Sequence, residues 1–274
     1  MLKRKIKVKK KNLILFLGFI IFVLIFVFSL INVILWAIDS KKTDNVIDSI
    51  EKVAEVKEIK DSDKTEIILT NEVDEDNPYW DYIKMNMIDV NFDDLLKVNN
   101  HTKGWIQVKG TNINYPFVQT KDNDYYLNRS YDKSYNKAGW VFLDFRNKYT
   151  DNKNTIIYAH GRTDTTMFGS LKNILKSDWL DNKDNYVVKI STPEENTLWQ
   201  VFSVYHIKTT SDYIRTDFDN DEDFLKFTKM LTERSKYNFN VEILGNDQIL
   251  TLSTCYNDFE KMVMHAKLIK RGKK

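Results

Sequence analysis

The chain is short of several residues that small or irregular proteins lean on. It has one cysteine, Cys255, so no internal disulfide can form and the fold must rest on its own core. The four histidines, His101, His160, His206 and His265, do not combine with that cysteine at zinc-ligand spacing. Three prolines and eight glycines in 274 residues exclude a Pro/Gly-rich disordered chain. Gly104 and Gly110 stand too isolated to form a phosphate-cradling loop. A formal net charge of +2 lacks the basic excess of a nucleic-acid binder, so no nucleic acid is expected as a partner. The acidic clusters at 72–76 and 217–223 have no glycine-turn calcium pattern, and no metal or cofactor is expected.

What the chain does have is an uneven N-terminus. Residues 1–12 carry seven Lys or Arg and no acid, and residues 13–31 are nineteen in a row without a charge. As a helix that run spans about 28 Å, close to the hydrocarbon thickness of a bilayer. Apolar character continues to Trp36, where an interfacial aromatic belongs. Basic flanks stay on the cytoplasmic side, so the pattern predicts a single-pass anchor over 13–36 with residues 1–12 as a cytoplasmic tail and the rest exported. A cleaved signal peptide would have a shorter apolar core and a small-residue cleavage site, neither of which is evident.

Beyond the anchor, apolar residues between 40 and 60 recur at roughly helical spacing, either as a stalk helix lying on the next domain or as a solvated spacer. Polar, acidic sequence then runs to the breaker pair Asn77-Pro78. This reading gives a stalk or linker over 37–78 and a catalytic domain over 79–274. In that domain, runs rich in Val, Ile, Tyr, Phe and Trp predict strands at 105–108, 115–119, 140–145, 155–159, 186–190, 198–205, 249–253 and 262–269. Helices are expected at 166–175 and 221–231, the second opening with acids that suit a helix N-terminus. Eight short strands with few helices predict a mainly β fold, a closed or nearly closed barrel with helical insertions.

A lone cysteine is commonly a small buried apolar residue. Cys255, however, ends an aliphatic and β-branched run, and polar residues follow it. A thiol nucleophile needs an acid/base partner and an oxyanion stabiliser. Among the histidines, His160 is best placed, because it also ends a strand-like run and precedes a glycine turn.

The run Thr251-Leu252-Ser253-Thr254-Cys255, with a histidine 95 residues upstream, resembles the sortases, and its longer form resembles class B. Gly104-Trp105-Ile106, the segment 110–119, Asp122-Asn123-Asp124-Tyr125-Tyr126-Leu127, Phe142-Leu143-Asp144 and Met167-Phe168 agree in order with the same family, over about residues 80–270. The resemblance implies an eight-stranded sortase barrel. It also implies a cysteine transpeptidase that cuts a sorting signal after Thr, holds the product as a thioacyl-enzyme and passes it to an amine. Carried over, Cys255 is the nucleophile and His160 the acid/base group. Signal-binding positions fall on Asn123, Leu127, Thr209, Tyr213, Ile214 and Ser253. The implied partners are the sorting-signal peptide of secreted surface proteins, Asn-Pro-x-Thr-like for class B, and a peptidoglycan or other amine acceptor. The bilayer would be met through residues 13–36.

One position departs from the family. Its catalytic arginine aligns with Lys261, a point charge in place of a two-pronged donor. Either Lys261 takes over the role, or an arginine such as Arg162 or Arg215 reaches in, or the protein is an impaired module that binds peptide without turnover. A papain-like hydrolase is disfavoured by order, since there the cysteine precedes the histidine.

Overall fold

The computed structural model describes residues 10–62, 64–68, 79–148, 152–257 and 259–274. Most of the basic tail, the acidic run 72–76 and the pair Asn77-Pro78 lie outside these residues. The chain divides into two compact units, Met1–Lys42 and Thr43–Lys274. In the first, the apolar run is helical, part of a helix spanning Lys10–Ala54. By length and composition this helix can cross a membrane. Its large apolar side chains from Leu13 to Ile38 are exposed, a surface too long and continuous for water to tolerate easily. Asn32 donates its side-chain amide to the Phe28 carbonyl one turn back, so this donor is satisfied by the helix itself.

The second unit begins within the expected stalk. Thr43, Ile50 and Ala54 are buried, and Val46, Ile47 and Val53 pack against the core. Asn136 donates to the Thr43 hydroxyl at 2.9 Å. The helix ends at Glu55, whose φ of +37° cannot continue it. Short strands follow, β1 (Lys57–Ile59) and β2 (Thr65–Ile67), and β3 (Met87–Asp89) lies beyond the acidic segment. β1 pairs with β3, and β2 pairs with the final strand. The compact unit therefore takes in residues assigned to the linker by sequence, where the boundary was expected at 78.

The eight expected strands are all present as β4 (Thr102–Val108), β5 (Asn114–Val118), β6 (Phe142–Leu143), β7 (Asn154–Tyr158), β8 (Val187–Ser191), β9 (Glu195–Lys208), β10 (Ile249–Cys255) and β11 (Glu260–Lys273). Their order is β10-β7-β6-β5-β4-β8-β9-β11, and β11 pairs back onto β10, closing an eight-stranded barrel with β2 on its edge. β6 is only two residues long because the Asp144 carboxylate accepts the Arg146 amide and turns the chain. The helix expected at 166–175 is reduced to a 3-10 turn, Gly169–Asn173, because Thr165 and Met167 have positive φ and cannot belong to a right-handed helix.

The helix Asp221–Arg234 matches its expectation. Asn220 caps it by accepting the Asp223 amide, and three acids occupy its first turn. Its buried residues Phe224, Phe227 and Leu231 cluster with Phe202, Tyr205, Ile249 and Val263. These are separate from the main core, which includes Trp105, Ile106 and Leu252. Strands β9 to β11 are therefore covered on both faces, which explains their near-continuous apolar runs.

His265 lies wholly buried in this region. It is hydrogen-bonded to Tyr205 Oη and Thr251 Oγ1, each at 2.9 Å, and stacked on Phe202. Burial, reinforced by the nearby Arg234 cation, lowers its pKa to about 3. The folded protein thus keeps His265 neutral at pH values where the unfolded chain protonates it, and stability is lost as pH falls from about 6.5 toward 3. Denaturation curves at about pH 7 and pH 5 should show this slope, about 1.4 kcal/mol per pH unit for this group alone, reduced in His265→Gln. Parallel pH dependence in the two proteins would mean that the folded state accepts the proton.

Candidate active site

Strand pairing brings three distant segments together. β10 and β7 run parallel, with Leu252 opposite Ile157 and Ser253 opposite Tyr158. Two residues past those partners come Cys255 on one strand and His160 after the other, so both emerge at the same end of the barrel. Thr254 Oγ1 donates to the Ala159 carbonyl at 2.7 Å, tying the two strand ends together. On the other side, antiparallel β11 places Lys261 directly opposite Cys255, and its Nζ lies 3.1 Å from the thiol sulfur.

The turn after His160 needs a glycine. A Cβ on Gly161 would stand 2.1 Å from the Cys255 carbonyl oxygen, so any larger residue would push the His160 turn and the Cys255 strand end apart. Lys172 holds the same turn by donating to the Gly161 carbonyl at 2.7 Å. The His160 ring is anchored at Nε2, 2.6 Å from the Leu127 carbonyl. A carbonyl only accepts, so Nε2 carries the hydrogen, and in the neutral ring Nδ1 is left as the basic nitrogen.

Cys255, His160 and Lys261 line one cleft of about 360 Å³. Cys255 is exposed, unlike Ser253 and Thr254 before it, which are buried. Apolar lining comes from Leu127, Phe142, Tyr158, Tyr213 and Ile214. Leu127 is 40% exposed, which sets it apart from a core residue and leaves apolar surface for a ligand to cover. Tyr213 is buried and shares a 2.9 Å hydrogen bond with Ser253 Oγ. Burial raises the Tyr213 phenol pKa, so it serves as a neutral hydrogen-bonding wall.

Of the site residues named from the sequence, Asn123, Leu127, Tyr213, Ile214, Ser253, His160, Cys255 and Lys261 all meet in this cleft. Thr209 is not among its lining. Its amide and hydroxyl both donate to the Phe259 carbonyl, which ties the segment after β9 to the β10–β11 turn, while its neighbour Thr210 lines the cleft. The two alternative arginines are engaged elsewhere. Arg162 is bound to Asp164 and Thr166, and Arg215 pairs with Asp223 and stacks on Phe218. The other histidines also sit apart from the cleft. His101 meets Tyr126 Oη, and His206 pairs with Glu260 and stacks on Tyr256. Sequence reasoning missed Phe142 and Tyr158 as lining residues. Both stand in runs that read as ordinary strand, and their facing is set by barrel closure.

The geometry offers a sulfur nucleophile, an imidazole with a free nitrogen, and a cation able to oppose charge developing on a carbonyl oxygen. Comparison with known proteins agrees with this chemistry. A family model, the Sortase domain, matches residues 106–273. Sortase B of Staphylococcus aureus (strain NCTC 8325 / PS 47) is 37% identical over 184 residues, covering 65% of this chain and 75% of that protein. A crystal structure of sortase B from B. anthracis in complex with AAEK1 superposes with a TM-score of 0.68 at 33% identity, covering 85% of this chain and 99% of that one. A Staphylococcus aureus sortase B–substrate complex gives a TM-score of 0.61 at 38% identity, covering 65% and 84%.

Gly161→Ala is expected to lower turnover about a hundredfold by displacing the His160 turn from the Cys255 strand end. Steady-state kinetics with a fluorogenic peptide, alongside thermal unfolding, would check this. A variant as active as the parent would mean that the turn retreats without cost.

Proposed function

Because the chain belongs to the sortase family, in class B, and is a transpeptidase of that family, we propose that it anchors surface proteins to the cell wall. In this reading it cuts an Asn-Pro-x-Thr-like sorting signal after Thr and joins the product to a cell-wall amine. The helix Lys10–Ala54 holds it in the membrane, with the basic N-terminus in the cytoplasm and the catalytic unit outside. The observation that carries the reading is the meeting of Cys255, His160 and Lys261 in one cleft.

Each residue has a role that its position permits. Cys255 Sγ attacks the Thr carbonyl carbon, and the carbonyl electrons move to oxygen. Lys261, 3.1 Å from the sulfur, opposes the resulting negative charge. His160, held at Nε2 by the Leu127 carbonyl, takes the thiol proton at Nδ1 as the sulfur attacks and delivers it from there to the departing amine as the C–N bond breaks. A thioester to Cys255 remains. The acceptor amine then attacks that thioester, His160 takes up its proton, and collapse forms the new amide and frees the thiol. Asn123, Leu127, Tyr213, Ile214 and Ser253 hold the signal, and Thr209 contributes by fixing the segment beside Thr210.

The full chain in detergent micelles, given peptides with Asn-Pro-x-Thr-type and Leu-Pro-x-Thr-type motifs with and without hydroxylamine, should cleave the first type after Thr. A thioacyl mass should appear on the protein, and both signals should vanish in Cys255→Ala. Peptide binding without cleavage or adduct would instead mark a binding module.

Lys261→Ala should lower kcat/KM by about a hundredfold or more, as loss of an oxyanion donor does, while Lys261→Arg keeps or raises it. Unchanged kinetics in the alanine variant would remove Lys261 from the mechanism.

A further inference from the structure

Behind the cleft lies a buried carboxylate that none of the roles above uses. Asp144, at the end of β6, is wholly buried. Its Oδ2 accepts hydrogen bonds from Tyr158 Oη at 2.9 Å, Asn123 Nδ2 at 3.1 Å and Arg146 Nη2 at 2.8 Å. Its Oδ1 accepts from the Arg146 amide and from Arg146 Nε, both at 2.9 Å. Burial alone would favour the neutral acid, but the bonds from Arg146, Tyr158 and Asn123 outweigh it and hold the carboxyl below its ordinary range. The group is thus an anion in the folded state, with every oxygen satisfied.

Arg146 carries the connection further. Its Nη2 also donates to the Ile214 carbonyl at 3.0 Å, on the segment between β9 and the helix Asp221–Arg234. Asn123, Tyr158 and Ile214 line the cleft, and Arg146 does not. One ion pair therefore reaches three cleft-lining residues, and among the described residues its link to the Ile214 wall runs through the Arg146 guanidinium. Asn123 has both ends of its amide occupied, since its Oδ1 accepts the Phe145 amide at 3.0 Å.

We propose that Asp144 and Arg146 are positioning residues that set the width of the signal-binding cleft before substrate arrives. This rests on the reading of the cleft as the peptide site. The ion pair fixes the Ile214 segment against the Asn123–Tyr158 wall, so little ordering is left for binding to impose. The reacting groups are held by a different set of bonds, the β7–β10–β11 ladder and the Thr254–Ala159 bond. Loss of Arg146 therefore acts on peptide affinity and leaves the thiol chemistry in place.

Arg146 is partly exposed, so it can be replaced with less disturbance than buried Asp144. Arg146→Gln in the full chain is expected to raise KM for an Asn-Pro-x-Thr peptide about tenfold, the worth of the lost bond that tethers the Ile214 segment, with kcat within about twofold. The rate at which iodoacetamide alkylates Cys255 should not change. Tyr158→Phe, which removes another bond to the same carboxylate, should raise KM in the same direction. The double variant should fall short of the product of the two effects, because both act through Asp144. An unchanged KM, a parallel fall in kcat and alkylation rate, or strictly multiplicative effects would each overturn the proposal. Wild-type turnover in the same assay reports separately on the function itself. If the wild type cleaves no peptide, anisotropy of a fluorescein-labelled Asn-Pro-x-Thr peptide decides the proposal, which requires about tenfold weaker binding to Arg146→Gln.

Discussion

The site depends on the register of three adjacent strands. β10 lies between parallel β7 and antiparallel β11, and the residues opposite its last positions are Tyr158 and Lys261. Side chains alternate along a strand, so a one-residue slip of β10 would turn Cys255 away from both partners and put Thr254 in its place. The hydroxyl of Thr254 works against that slip, since in the native register it is buried and bonded to the Ala159 carbonyl. A buried hydroxyl without such a partner is costly, so Thr254 helps to hold its neighbour Cys255 in phase.

Much of this frame was legible from the sequence. The eight barrel strands announce themselves by β-branched and aromatic runs, and the capped helix Asp221–Arg234 by its acids and apolar spacing. Residues 43–68 were harder to place. β1 and β2 have three residues each, too short for a periodic signal, and they become strands only by pairing with β3 and with the end of β11. The 3-10 turn Gly169–Asn173 reads as helix because composition does not report the positive φ of Thr165 and Met167.

The candidate site divides along a similar line. Cys255 and His160 are visible because each ends a strand and belongs to an ordered motif. Lys261 stands out as a departure from an arginine, and its 3.1 Å approach to the sulfur keeps a cation there. Asp144 lies in a motif too, but its role depends on Asn123, Tyr158 and Arg146 converging on one buried carboxylate. Only Arg146 is near it in sequence. Polar hubs of this kind arise from closure of the barrel, and no local pattern records them.

The far half of β11 bears on the Cys255 end as well. Lys267 is fully buried, with its ammonium 2.7 Å from the buried Asp247 carboxylate and 3.0 Å from the Glu242 carbonyl. Lys270, equally buried, meets Asp61 and the carbonyls of Ile83 and Met85 at 2.6 to 2.8 Å. Buried ion pairs add little net stability, because desolvation offsets most of the attraction. Their effect is selective: a strand shifted by one residue would leave two ammonium groups without these partners, at a cost of several kcal/mol each. β11 pairs with β10 without a break from Lys267 to Lys261, so a register fixed at Lys267 reaches Lys261 along that ladder, although the pairing of β11 with β9 shifts at His265/Ala266 and at Leu268/Lys270. The charges at one end of the barrel thus help to aim the charge at the other.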